Sequence, residues 1–170
     1  GKEAGVFVYD DGIGLFEGND VYGDATAGVE ISTFGNPTLR NNRIFDGVQR
    51  GVYVHGTGQG VLEDNDIFGN MSFGLEIKTF GNPTLQGNRI YNGKGTGVYI
   101  HDKGQGSLVD NDVYGNSHDG VEVETLGNPS FRRNRVHDNL LNGFFVHDDG
   151  QGMYEENDIY SNARAGVYII

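Results

Sequence analysis

The residues best suited to chemistry recur at a fixed interval. His55, His101 and His147 stand 46 residues apart, and each follows an aromatic side chain by two places: Tyr53, Tyr99 and Phe145. Halfway between them come Glu76 with Lys78 and Glu122 with Glu124. An earlier round supplies Phe7, Tyr9, Glu30 and Ser32. Imidazoles and carboxylates are the usual general acids and bases, and both ligate metals. Aromatic rings beside carboxylates also suit sugar rings, through stacking and hydrogen bonds. Which of these tasks is open depends on the elements that hold the side chains together or apart.

Those elements repeat every 23 residues without insertion. Glycine opens each copy at Gly5, Gly28, Gly51, Gly74, Gly97, Gly120 and Gly143, and Gly166 begins an eighth. A second glycine follows seven places later, from Gly12 to Gly150. Asparagine recurs at Asn19, Asn42, Asn65, Asn88, Asn111, Asn134 and Asn157. Within each copy, pieces such as GVYVH, GVLEDN and NDIFGN are short, rich in β-branched and aromatic residues, and broken by turn residues. No window keeps a helical period, and glycine recurs too often for one.

Three short strands per copy, with no crossover helix, predict an all-β fold: a single-stranded right-handed parallel β-helix. Its seven rungs are 5–27, 28–50, 51–73, 74–96, 97–119, 120–142 and 143–165, with a partial rung at 166–170, all within one domain spanning 1–170. Val52, Val54, Leu62 and Ile67 face inward, with Val98, Ile100, Leu108 and Val113 in the equivalent inward columns, successive rungs being about 4.8 Å apart. Inward asparagine amides bond the asparagines above and below, and corner glycines permit positive φ or close backbone passage.

A second-order period of 46 residues divides the rungs into two types. Even rungs carry GNP at Gly35, Gly81 and Gly127. After each recurrent asparagine the sign alternates: Asp20, Arg43, Asp66, Arg89, Asp112, Arg135, Asp158. This predicts a charge ladder that fixes register, each exposed pair contributing about 0.2–1 kcal/mol. Tyr22, Phe45, Phe68, Tyr91, Tyr114 and Tyr160 form an aromatic column broken by His137, read as packing. Phe34, Phe80 and Leu126 precede the GNP glycines; they either point outward at a corner, as an apolar stripe for a protein contact, or, the favoured expectation, fold back under neighbouring turns.

Composition excludes several functions. Glycine is 29 of 170 residues, but its strict spacing argues for a solenoid rather than disorder. The net charge of -12 opposes non-specific binding to nucleic acid or anionic lipid. No apolar run reaches membrane-helix length. Cysteine is absent, which removes disulfides, thiolate metal sites and cysteine nucleophiles and leaves the compartment open. The chain starts without Met and ends mid-rung with open strand edges, which predicts either end-to-end stacking of the chain or excision from a longer helix.

Rung spacing limits the chemistry of the outward residues. Successive glutamates fall two rungs apart, about 9.6 Å, too far for a retaining glycosidase and marginal for an inverting one. The three histidines have the same separation and cannot share one zinc ion. Asp10–Asp11, Asp102 and Asp148–Asp149 suit at most weak calcium binding. Gly56-Thr57-Gly58-Gln59-Gly60 is no phosphate loop, because no helix N-terminus follows it. The sequon Asn70-Met71-Ser72 means little in so asparagine-rich a chain.

The segments GVYVHGTGQGVLEDNDIFGN and GNPTLRNNRIFDG resemble the β-helix repeats of the F-box-only substrate receptors of ubiquitin ligases. They are also similar to the wider carbohydrate-binding and sugar-hydrolase type of β-helix repeat. The receptor resemblance implies recognition of a protein substrate, although the chain has neither an F-box nor the cysteines of a zinc module. No catalytic residue of the β-helix lyases, hydrolases or epimerases transfers by position.

The expected function is a non-catalytic recognition or scaffold module. It binds a protein or glycan along Tyr53, His55, Glu76, Lys78, Tyr99, His101, Glu122, Glu124, Phe145 and His147. The alternatives are a polysaccharide-modifying enzyme of lyase, hydrolase or epimerase type, or a fragment of one, and a structural spacer or filament unit. No cofactor, metal, nucleic acid or membrane partner is expected.

Overall fold

The computed structural model describes residues 3–170. Among them, every regular element is a strand of three to five residues, and none is a helix that could cross a membrane. The strands form three parallel sheets. Sheet I has eight strands: Val6–Val8, Ala27–Ile31, Arg50–Val54, Phe73–Ile77, Thr96–Ile100, Val121–Val123, Phe144–Val146 and Val167–Ile169. Sheets II and III have seven strands each, typified by Val61–Glu63 and Asp66–Phe68. Each residue is paired with the residue 23 places away, as in Leu62↔Leu85 and Ile67↔Ile90. The 23-residue interval of the sequence is therefore one full turn of a parallel β-helix.

Rungs this short bury only a few side chains each, so the core is built by repetition. Val52, Val54, Leu62 and Ile67 are fully buried, as are Val98, Ile100 and Leu108 in equivalent positions. The asparagine column closes the corner between sheets II and III. Asn88 donates its amide to Asn111 Oδ1 at 3.0 Å and to Leu62 O at 2.8 Å. Its own Oδ1 accepts from the backbone N and the side chain of Asn65, both at 2.9 Å. Among the described residues no buried side-chain nitrogen or oxygen lacks a partner. A second column, Asn116, Asn139 and Asn162, repeats this bonding at the corner between sheets III and I.

Glycine's role is closer to one of its two expected uses. A Cβ on Gly51 would lie 2.5 Å from Ile67 Cγ2 and 2.6 Å from Gly74 O, so this column exists for backbone passage. Positive φ falls largely on other residues, including consecutive pairs after the sheet I strands such as Thr33 (45°) with Phe34 (64°) and Asp148 (45°) with Asp149 (63°). That turn swings Phe34, Phe80 and Leu126 outward, with exposures of 55%, 52% and 43%. The expectation that they tuck under neighbouring turns is thereby corrected.

The charge column resolves into separate pairs. Each arginine reaches back to the preceding aspartate: Arg43–Asp20 at 3.0 Å, Arg89–Asp66 at 2.5 Å and Arg135–Asp112 at 2.6 Å. Beside it, seven rings from Tyr22 to Tyr160 stack with centroids 4.6–5.2 Å apart. Their faces are spent on one another, so this column is packing and offers a ligand only ring edges.

Candidate functional site

The outward residues of sheet I form two parallel columns. Strand register lines up Phe7, Glu30, Tyr53, Glu76, Tyr99, Glu122, Phe145 and Tyr168. The second column lies two residues further along each rung. Its members Ser32, His55, Lys78, His101, Glu124 and His147 each donate a backbone hydrogen bond to the rung before.

The columns are joined, and this changes their chemistry. Within a strand, rings stack on the histidine two places on: Tyr53–His55 at 4.2 Å, Tyr99–His101 at 4.3 Å and Phe145–His147 at 4.1 Å. Between rungs, each histidine Nε2 meets the glutamate 25 residues earlier. The distances are 2.9 Å for His55–Glu30, 3.0 Å for His101–Glu76 and 3.3 Å for His147–Glu122. All ten predicted site residues thus lie on one face.

Glu76 departs from the expected exposed stripe. It is only 2% exposed and is clamped between Arg50 and His101. Burial pushes its carboxyl up, but the hydrogen bonds from His101 and Arg50 outweigh burial and hold it below the usual carboxylate range. It is therefore a structural anion rather than a free ligand for sugar hydroxyls. Arg50 also lies over the Tyr53 ring at 4.5 Å, and Thr96 donates its hydroxyl to Glu122 at 3.1 Å. Sequence reasoning missed Arg50 and Thr96 because they sit one rung and three residues before their partners, off both columns.

The three histidines have unlike surroundings. His55 Nε2 is held by Glu30, and its Nδ1 has no partner among the described residues. His101 is held at both nitrogens, by Glu76 and by Asp102 at 3.1 Å. His147 faces Glu122, Glu124 and Asp148. Burial lowers its pKa, but those carboxylates outweigh the effect and leave it raised. Tyr99 donates its hydroxyl to Glu124, and burial together with that bond lifts it far above the ordinary phenol range. Tyr99 consequently stays protonated near neutral pH, with its one hydroxyl proton committed to Glu124.

Lys78 is the odd member. It occupies the second column between His55 and His101, half-buried, with no ion-pair partner among the described residues. Its Nζ lies 5.8 Å from the Tyr53 ring centroid. Three potential cations therefore stand on consecutive rungs.

Other sequence features fall elsewhere. The Asn70 side chain of the sequon is buried in the second asparagine column, where it bonds Ile44 O and Gly47 N. Asp148 turns toward His147 at 2.9 Å. Among the described residues, one group of three metal-type donors comes within mutual reach: Glu124, His147 and Asp148.

Comparisons with known proteins agree on the architecture. No curated protein matches the chain significantly. Among solved structures, the A-module of the mannuronan C-5 epimerase AlgE6 of Azotobacter vinelandii is similar, with a TM-score of 0.74 and 21% identity over 99% of this chain and 55% of that one. The periplasmic alginate epimerase AlgG is similar at a TM-score of 0.59 and 14% identity, over 98% of this chain and 47% of that one. The chain spans about half the length of each, and identities this low speak for fold alone. The likeness to ubiquitin-ligase receptors rests on the repeat sequence only. The family described as "Right handed beta helix region" matches residues 1–117 and 82–170, and the chain belongs to it.

Proposed function

We propose that the chain is part of a polysaccharide-modifying enzyme and that sheet I holds an extended acidic glycan along its two outward columns. Lys78 carries this reading. A half-buried ammonium, without an ion-pair partner among the described residues, stands between two imidazoles on consecutive rungs and beside the Tyr53 ring. A 1,4-linked pyranose chain advances per ring by about the height of one rung, so carboxylates along it meet the row in step. The net charge of -12 repels a polyanion from afar. At physiological salt, exposed charges beyond about 8 Å are largely screened, so the local row decides. The similar structures are named as epimerases of mannuronan and alginate, both uronic-acid polymers, which agrees with an acidic ligand.

In this reading Lys78 neutralises a uronate carboxylate and so acidifies the adjacent carbon-bound proton. His55, with Glu30 holding Nε2, presents a free Nδ1 as the base. The test is titration of uronate and neutral oligosaccharides into wild type, Lys78→Ala and His55→Gln, with products followed by NMR and by ultraviolet absorbance of unsaturated ends. The expected result is binding of uronates, about tenfold weaker in Lys78→Ala, the loss of one charged hydrogen bond. Turnover is expected to be lost in His55→Gln. Equal binding of neutral oligosaccharides, or none of either kind, overturns the proposal.

A second reading, recognition without turnover, is favoured by the regularity of the rungs. No inserted loop rises from any 23-residue copy to enclose a reacting sugar. Binding without product decides for it.

A further inference from the structure

We propose that Glu124, His147 and Asp148 form a binding site for a zinc-class divalent cation. The three donor atoms lie within 4.8 Å of one another. His147 Nδ1 is 2.9 Å from Asp148 Oδ2 and 3.8 Å from Glu124 Oε2. Donors around one tetrahedral zinc, each about 2.0–2.2 Å from it, are separated by about 3.3–3.6 Å, between those two distances. Small side-chain rotations therefore bring all three onto one ion.

A second observation comes from the far side of the imidazole. Glu122 Oε1 meets His147 Nε2 at 3.3 Å, and Glu122 is itself fixed by the Thr96 hydroxyl at 3.1 Å. A carboxylate accepting from one ring nitrogen orients the ring so that the other can ligate once a metal displaces its proton, the usual support of a metal-bound histidine. Here that other nitrogen, Nδ1, faces two carboxylates. Glu124 is also prepared: Oε1 accepts from Tyr99, which leaves Oε2 toward His147.

Charge points the same way. Glu122, Glu124 and Asp148 have no lysine or arginine partner among the described residues, so three carboxylates share one imidazole. The chain contains its own controls. At His101 the place one rung before is taken by Lys78, and at His55 it is taken by Ser32 with Gly56 following the histidine. Only at His147 do a carboxylate one rung before and a carboxylate one residue after coincide. The nitrogen donor and the small ligand number fit zinc better than calcium, which takes six to eight oxygens.

The test is calorimetric titration of zinc chloride into the whole chain near neutral pH, repeated with cobalt(II) for its visible absorption. Wild type is expected to bind one equivalent. Binding should be lost in His147→Ala and weakened about tenfold in Glu122→Gln. Lys78→Glu should bind a second equivalent, by giving His101 and Asp102 the missing carboxylate. Circular dichroism melts identify any variant that has failed to fold. The proposal is overturned by no uptake in wild type, by undiminished uptake in folded His147→Ala, by displacement of zinc by equimolar calcium, or by Lys78→Glu remaining at one equivalent.

Discussion

Glu76 and His101, 25 residues apart in the chain, are hydrogen-bonded at 3.0 Å across one rung boundary. The same diagonal, one rung plus two residues, joins Glu30 to His55 and Glu122 to His147. It converts two columns of outward side chains into one network. It also gives each histidine an oriented ring and a different degree of anionic crowding.

Glu76 makes stability depend on acid. Its folded pKa lies below its unfolded value, so its contribution is fully present above the unfolded value of about 4.3 and is lost as pH falls through the folded value. Chemical denaturation between pH 5 and pH 3 should therefore show a steeper loss for wild type than for Glu76→Gln (the span runs from above the about 4.3 reference downward). Parallel curves would show that the clamp by Arg50 and His101 does not hold the carboxylate.

Near neutral pH, Glu76→Ala should destabilise by about 3 kcal/mol or more, because it removes two hydrogen bonds to charged groups and the one ion-pair partner of Arg50 among the described residues. Arg43→Ala should cost under about 1 kcal/mol, because its pair with Asp20 is half in solvent. Urea midpoints separate the two.

Asn88→Ala should destabilise by about 3 kcal/mol or more. Asn65 N and Nδ2 and Leu62 O would each lose a bond, and each group left buried without a partner costs about 1–3 kcal/mol. A shift below about 1 kcal/mol in denaturant titration would mean that water or neighbouring rungs replace the ladder.

Gly51→Ala and Gly18→Ala should fail for different reasons. At Gly51 the added methyl meets Ile67 and the backbone of Gly74, an overpacking cost of about 1–3 kcal/mol. At Gly18 nothing lies within 4 Å, and only the φ of +67° penalises alanine. Replacing Ile67 by Val removes the facing methyl only if it is Cδ1 rather than Cγ2. Ile67→Val and Ile67→Ala both leave the clash with the Gly74 backbone, so neither is expected to rescue Gly51→Ala, as read by thermal melts.

The fold was legible because each rung lies on its neighbours at a constant offset. An interval of 23 gave the strand register and the asparagine contacts directly, since both are vertical relationships. The face of sheet I was only half legible. Reading down single columns placed Tyr53, Glu76 and Tyr99 correctly, but it treated Glu76 as solvent-facing. Its burial comes from diagonal partners at offsets of 25 and 26, and those offsets become visible only when side-chain reach is added to strand register. Phe34 and Phe80 were misplaced for a local reason. Two consecutive residues take the left-handed conformation there, and the glycine that follows them, Gly35 or Gly81, closes the turn without itself supplying the positive φ.

The account depends most on the row His55, Lys78, His101 receiving an acidic glycan. Titrating a uronate oligosaccharide while recording the imidazole resonances of all five histidines tests it directly. The predicted result is that His55 and His101 shift together with increasing ligand, while His137, stacked in the aromatic column of sheet III, stays fixed. Movement of His137 with His55 and His101 unmoved would contradict it.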